Sequence, residues 1–334
     1  MLKSNKLSIA MLVAGGLLSS TSAVAKPDFY GRFSLGVLNT YDQDEGERVT
    51  KIENQASRLG IKGNASLNET INFIYQLETG INPSDSSKPL FSMRNSFIGV
   101  EGNFGQFIAG TFDTPLKKAQ GKVDLFNDTV FDLSKIASGE VRHKQSLQYQ
   151  APSLSGFKAA VNWLPSAKKS VDDGVSVSAG YAAKRFAITV AVDNRVAGDG
   201  GVITKKSEPL NTARAVFSVN ASETVALGFL AQYSEGVGSD KSRESAWLTS
   251  AAWTIDKVKL KAQLGQGLAD RDASGASSDA RISQLSLGVD YSIVASTTAF
   301  FYMGVSRFEE GAGGTLAKES RNSASAGLGL RYKF

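Results

Sequence analysis

The chain has no cysteine and one histidine, His143, among its 334 residues. The first absence removes disulfides, thiolate metal sites and a cysteine nucleophile. The second leaves a serine–histidine–aspartate arrangement dependent on one imidazole, and any metal site dependent on carboxylates. The chain shows no enzyme inventory, and no cofactor is expected. Proline is scarce, at 7 residues. After residue 30 no run nears the ~20 continuous apolar residues of a membrane-crossing helix. An excess of one charge is also missing. The 37 basic and 32 acidic residues leave +5, too little to argue for nucleic acid.

What is present begins with an export signal. Lys3 and Lys6 precede an apolar run over residues 7–18, and the small-x-small triplet Ala23-Val24-Ala25 follows. Residues 1–25 read as a secretory signal peptide cleaved after Ala25, leaving 334 − 25 = 309 residues, 26–334, as one domain. Without Lys3 and Lys6 the balance is 35 − 32, or +3. A large exported fold without disulfides must close its own backbone hydrogen bonds.

Alternation with period two recurs throughout. Val225, Leu227, Phe229, Ala231 and Tyr233 share one parity, and Ala226, Gly228, Leu230, Gln232 and Ser234 the other. The stretches around Trp247–Ile255, Val258–Gly265 and Gln284–Ile293 repeat the pattern. No helix of any length is expected. Short turn signals alternate with long polar connections at 42–54, 82–91, 166–173, 197–209, 236–243, 270–281 and 309–320, and the longest spans 115–141. The count is sixteen strands, eight long loops and seven short turns, about 19 residues per strand and connection, which suits strands of ~10 residues. Lipid offers no hydrogen-bond partner, so a sheet that spans it must close on itself. The expectation is an all-β transmembrane antiparallel barrel of about sixteen strands, apolar outside and polar within. A soluble periplasmic sandwich would need large apolar residues on both inner faces, whereas the second parity here is mostly Gly, Ser, Gln, Lys and Arg. The last residues, Leu328 to Phe334, also alternate, so the final strand is expected to pair with the first.

Several stretches resemble the general porins of Gram-negative bacteria: Phe29-Tyr30-Gly31-Arg32, Ser57 to Gly63 (SRLGIKG), Tyr75 to Gly80 (YQLETG), Arg94 to Val100 (RNSFIGV), Gly102 to Phe107, Ser146 to Phe157 and the terminal Leu328 to Phe334. The resemblance covers residues 26–163 and the last strand in detail, and the rest in architecture. It implies a sixteen-stranded homotrimer in the outer membrane, in contact with lipopolysaccharide and outer-membrane lipid. The third loop, about 115–141, would fold into the lumen. The C-terminal aromatics Tyr332 and Phe334 would be read by the barrel-insertion machinery. Two departures stand out. Thr111 follows Gly110 where many relatives carry Arg, and the third loop has Asp124-Leu125-Phe126-Asn127-Asp128 in place of a Pro-Glu-Phe-Gly turn.

The resemblance further implies a constriction in which loop acids face bases on the wall, setting up a transverse field. The candidate acids are Asp124, Asp128, Asp132 and Glu140. The candidate bases are Arg32, Arg58, Lys62, Arg94, Arg142 and Lys144. Parity turns Arg32, Arg58 and Lys62 inward, and does the same for Arg142 and Lys144. Arg94 shares parity with Ser96, Ile98 and Val100, so either the pattern bends or that wall is covered; a charge facing lipid at mid-membrane depth would cost roughly 2–4 kcal/mol, so it is placed inward. Parity turns His143 outward. Asp42, Asp44, Glu45 and Glu47 could hold a divalent ion, but read more simply as a solvated loop. The expected function is passive diffusion of ions and small hydrophilic solutes, with weak ion preference. The alternative is a surface interaction protein on a barrel scaffold with a restricted lumen.

Overall fold

The computed structural model describes residues 27–166, 172–198, 200–202, 209–237, 242–270, 278–312 and 319–334. The signal peptide expected at 1–25 lies outside them. Among the described residues sixteen antiparallel strands form one closed sheet. β1 is Asp28–Asp42, and β2 comes in two pieces, Arg48–Asn54 and Arg58–Ser66. β3 is Ile71–Ile81, β4 is again in two pieces, Phe91–Met93 and Ser96–Gly102, and β5 is Gly105–Asp113. After the third loop come β6 (Arg142–Gln150), β7 (Phe157–Leu164), β8 (Gly174–Ala182), β9 (Phe186–Ala197) and β10 (Pro209–Asn220). The circuit ends with β11 (Val225–Gly236), β12 (Arg243–Ile255), β13 (Val258–Asp270), β14 (Ser278–Val294), β15 (Thr297–Ala312) and β16 (Glu319–Lys333). β16 pairs with β1 from Arg32↔Lys333 to Asp42↔Ser323, and Gly31 N donates to Phe334 O at 2.9 Å. No edge remains, which is what a membrane-spanning sheet requires.

The alternation resolves into two faces. On β11, Leu227, Phe229 and Tyr233 are exposed outward, whereas Leu230, Gln232 and Ser234 are buried inward. Aromatic rings run in sequence along the outer wall, Phe157 to Tyr181 at 4.6 Å, Tyr181 to Phe186 at 5.9 Å and Phe186 to Phe217 at 6.4 Å. Tyr332, Phe334 and Phe33 form a separate stack, with Tyr332 to Phe334 at 5.7 Å and Phe334 to Phe33 at 5.9 Å. Such rings suit the interfacial girdle of an outer-membrane barrel.

Two strands are interrupted along their length. Residues 42–54 do not form one long loop: Arg48–Asn54 continues β1's hairpin, and only the turn is irregular. The chain then leaves the ladder at Gln55-Ala56-Ser57, with Ala56 at φ +50°. This frees the carbonyls of Gln55 and Ala56, which accept from Arg32 Nη2 at 2.7 and 3.0 Å. The second break, at Arg94-Asn95, bends β4 and resets its parity.

The third loop crosses the lumen and is seated on apolar residues of the inner wall. It opens with α1 (Pro115–Ala119), capped by Thr114, whose side chain accepts from Lys117 N at 3.2 Å. Val123, Leu133, Ile136 and Ala137 pack against Val216, Leu230, Ala246 and Leu248. Phe126 and Phe131 pack with Leu38, Phe300 and Tyr302. Glycines make room for this: a Cβ on Gly288 would stand 2.9 Å from the Phe126 ring, and one on Gly304 2.8 Å from Phe131.

Candidate functional site

Loop and wall enclose a water-accessible cavity of about 940 Å³. Its lining includes the bases Arg58, Arg94, Lys117, Lys135 and Arg142 and the acids Asp113, Asp128, Asp132 and Glu140. Arg32 stands at its edge, donating to Asp128 Oδ2 at 2.6 Å. The wall bases come from β1, β2, β4 and β6, and register explains their height. Arg32 pairs with Arg58 on one side and Lys333 on the other, so three bases occupy one rung. Like charges so placed repel. Glu78 on β3 relieves part of this, taking Arg94 Nε at 2.7 Å and standing 3.7 Å from Arg58 Nε. Tyr30 OH donates to its other oxygen at 3.0 Å. Asp113 does the same for Arg142, at 3.0 Å, and Lys117, at 3.6 Å.

The loop acids are not equivalent. Asp128, in left-handed backbone at φ +66°, reaches the wall. Burial opposes its charge, yet Arg32 holds the carboxyl below the usual carboxylate range. Glu140 is buried against Arg214 of β10, whose Nη1 donates to it at 2.8 Å. Burial pushes its pKa up, and Arg214 pulls against that. Asp132 accepts from Asp128 N at 2.6 Å and Ser134 N at 2.7 Å, organising the 3₁₀ turn Leu133–Lys135. Asp124 is not part of the cavity lining. Its carboxylate turns into the loop and accepts from Leu133 N at 2.9 Å, Phe126 N at 3.0 Å and Gln263 Nε2 at 3.2 Å. Burial, with Asp132 adding, lifts it to about 7.

Of the expected bases, Arg58, Arg94 and Arg142 meet at the cavity and Arg32 borders it. Arg94 does so because β4 bends. Lys62 and Lys144 are not gathered there. Lys62 is exposed, its ammonium 5.5 Å from the Tyr30 ring centre. Lys144 is exposed beside Gln145 (φ +55°), in a bulge where both residues oppose Thr111. That bulge invalidates simple parity across residues 142–146. It puts His143 opposite Phe112, with Nδ1 3.4 Å from Ser146 Oγ. In the 42–47 loop, Asp42 Oδ1 accepts from the amides of Asp44, at 3.0 Å, and Glu45, at 3.3 Å, and so shapes a turn.

Sequence reasoning missed Glu78, Asp113, Arg214, Lys117 and Lys135. Glu78 was readable, since it alternates with the outward Leu77. Arg214 looks like any inward charge until the loop covers it. Arg331, its guanidinium 5.3 Å from the Phe300 ring centre, and Lys333 extend the basic wall across the β16–β1 junction.

The family model described as Gram-negative porin matches residues 8–333. The chain belongs to the Gram-negative porin family. It is 24% identical to a major outer membrane protein P.IB of Neisseria sicca, over 94% of this chain and 96% of that one. Among solved structures, an anion-selective porin from Comamonas acidovorans superposes with a TM-score of 0.72 at 18% identity, covering 93% of this chain and 100% of that one. A Salmonella typhi OmpF in complex with daunomycin gives 0.71 at 14% identity, over 92% and 98%. This porin resides in the outer membrane and forms a channel for passive diffusion of solutes.

Proposed function

We propose that this porin is a homotrimeric, non-enzymatic diffusion pore with a mild preference for anions. The observation that carries the preference is the unequal commitment of charge at the cavity. Asp124 and Asp132 are spent on the loop's own backbone and Glu140 on buried Arg214. Arg58, by contrast, has only a carboxylate oxygen 3.7 Å away, and Lys135 is exposed on the loop without an ion pair among the described residues. The rung Arg58–Arg32–Lys333 then leaves the eyelet with residual positive potential. The anion-selective neighbour supports the reading by likeness of fold. The bases Arg32, Arg58, Arg94 and Arg142 facing Asp128 are proposed as the constriction. Lipopolysaccharide contact and handling of Tyr332 and Phe334 by the insertion machinery belong to the same reading.

The test is single-channel current across a planar bilayer under a salt gradient. Equal steps closing in threes are expected from a trimer. The reversal potential should carry the sign of modest anion selectivity, and Arg58→Gln with Arg94→Gln should move it toward cations. A cation-selective reversal potential in the unmodified protein would overturn the charge assignment.

A further inference from the structure

Gly200, Gly201 and Val202 come between β9 and β10 in the chain, in a stretch expected as a long polar connection. They lie instead inside the barrel, against the third loop. Gly200 and Ser138 form an isolated antiparallel bridge, and Gly201 N donates to Ser134 O at 2.7 Å. Val202 is buried among Leu210 of β10, Ala269 of β13 and Ala280 of β14. Both glycines are in left-handed backbone, at φ +82° and +75°. A Cβ on Gly201 would press on Glu244 Oε2 and stand 2.5 Å from Ser138 N, so the close approach needs glycine. Gly200 and Gly201 also line the cavity of about 940 Å³, with Ser134 and Lys135 of the third loop and with Arg58 and Arg94 of the wall.

One side chain joins the two segments. Glu244, near the start of β12, is 1% exposed. Its Oε1 accepts from Ser138 N at 2.7 Å, and its Oε2 accepts from Val202 N at 2.8 Å. Ser138 Oγ stands 3.1 Å from that same Oε2 and 3.1 Å from Gly200 O, with a single proton to give. The carboxylate thus grips the third loop with one oxygen and residues 200–202 with the other. Hydrogen bonds to a charged acceptor are roughly twice as strong as neutral ones. Replacing one oxygen by a donor would set two buried N–H groups against each other, and the segment would have to move to regain a partner.

We propose that Glu244 is a positioning residue for the pore: it pins residues 200–202 onto the third loop as a strap, and the strap sets the size of solute that passes. Glu244 does not itself line the cavity. It acts on the width through Gly200, Gly201 and the stretch Ser134 to Ser138. The inference rests on the diffusion-pore reading, but not on the sign of its ion preference.

The experiment measures single-channel conductance, and the swelling of liposomes in sugars of increasing length, with protein that retains its heat-modifiable form. Conductance and sugar uptake by the unmodified protein test the diffusion-pore reading itself. Glu244→Gln and Gly201→Ala test the strap by two routes, one of which leaves every charge in place. Each should raise the conductance and shift the size limit upward by a sugar unit or more, and the double variant should go no further than the larger single effect. A single cysteine at position 202 supplies a measurement in the barrel with its strap intact, since the chain has no cysteine of its own. Val202→Cys should resist a charged thiol reagent in the folded barrel, react once the barrel is unfolded by heat, and become reactive in the folded barrel when Glu244→Gln is added. A size limit that stays or falls in either folded variant overturns the positioning role. Ready reaction of Val202→Cys in the folded barrel overturns it too, whether or not the other variants fold.

Discussion

At the scale of the residue, charge at this pore is mostly architecture. Arg214 is the clearest case: fully buried, it ties Leu116 O, Ser138 O and Glu140 of the loop to the wall. Removing one partner of such a pair strands the other charge without water. Arg214→Met should therefore cost roughly 3–5 kcal/mol, read as a lower thermal midpoint of the folded barrel, with noisier open-channel current. Arg214→Met combined with Glu140→Leu should recover most of the loss, because no charge is then left buried. Asp124 sets a second expectation. Its folded value, about 7, lies above the ordinary 3.8. Stability linked to its neutral form is complete below roughly pH 4 and is lost as pH rises through about 7. The loop should therefore be more firmly seated at acid than at alkaline pH. A thermal midpoint followed across that range should fall toward alkaline pH, and Asp124→Asn should flatten the fall. An unchanged slope in the variant would assign the dependence to other groups.

At the scale of the element, the third loop is held by shape as much as by charge. Phe126 fills the space left by Gly288, with Lys261 Nζ 5.0 Å from its ring centre. Gly288→Ala puts a methyl group 2.9 Å from that ring, in contact with side chains only, so the loop rather than the sheet must yield. Overpacking of this kind costs about 1–3 kcal/mol, and the displaced loop should narrow the passage and lower conductance. Phe126→Ala removes the ring, costs about 3–5 kcal/mol of anchoring and should give larger, less steady currents. Together the two changes should offset each other in conductance; additive effects would mean that the ring and the glycine do not share a contact. The inner wall also shows why the loop's seat was hard to read in sequence. Val216, Leu230, Leu248 and Phe300 are inward apolar residues that look like lapses in a polar parity. Only with the loop in place do they become its floor.

At the scale of the whole molecule, the closed barrel was legible because lipid forces an all-or-none solution on an alternating chain. Loop lengths then separated one end from the other, and the third loop stood out by length alone. The misplaced details follow from parity, which carries no memory across a break. Ala56, Arg94 and the bulge at Lys144 and Gln145 each reset the phase, so Arg94 turns inward and Lys144 escapes the cavity. The terminus offers a last prediction. Phe334 lies over Gly31 and stacks with Phe33 and Tyr332, so its ring covers the junction between the first and last strands. Two roles can be separated, closure of the barrel and recognition during insertion. Phe334→Ala removes the ring but leaves the β1–β16 ladder, which runs on to Asp42↔Ser323. If the aromatic serves recognition, the variant should accumulate poorly in the outer membrane in cells, yet refold from urea into detergent with unchanged conductance. If refolding and conductance fail along with membrane yield, the ring is a structural clasp and the recognition role is unsupported.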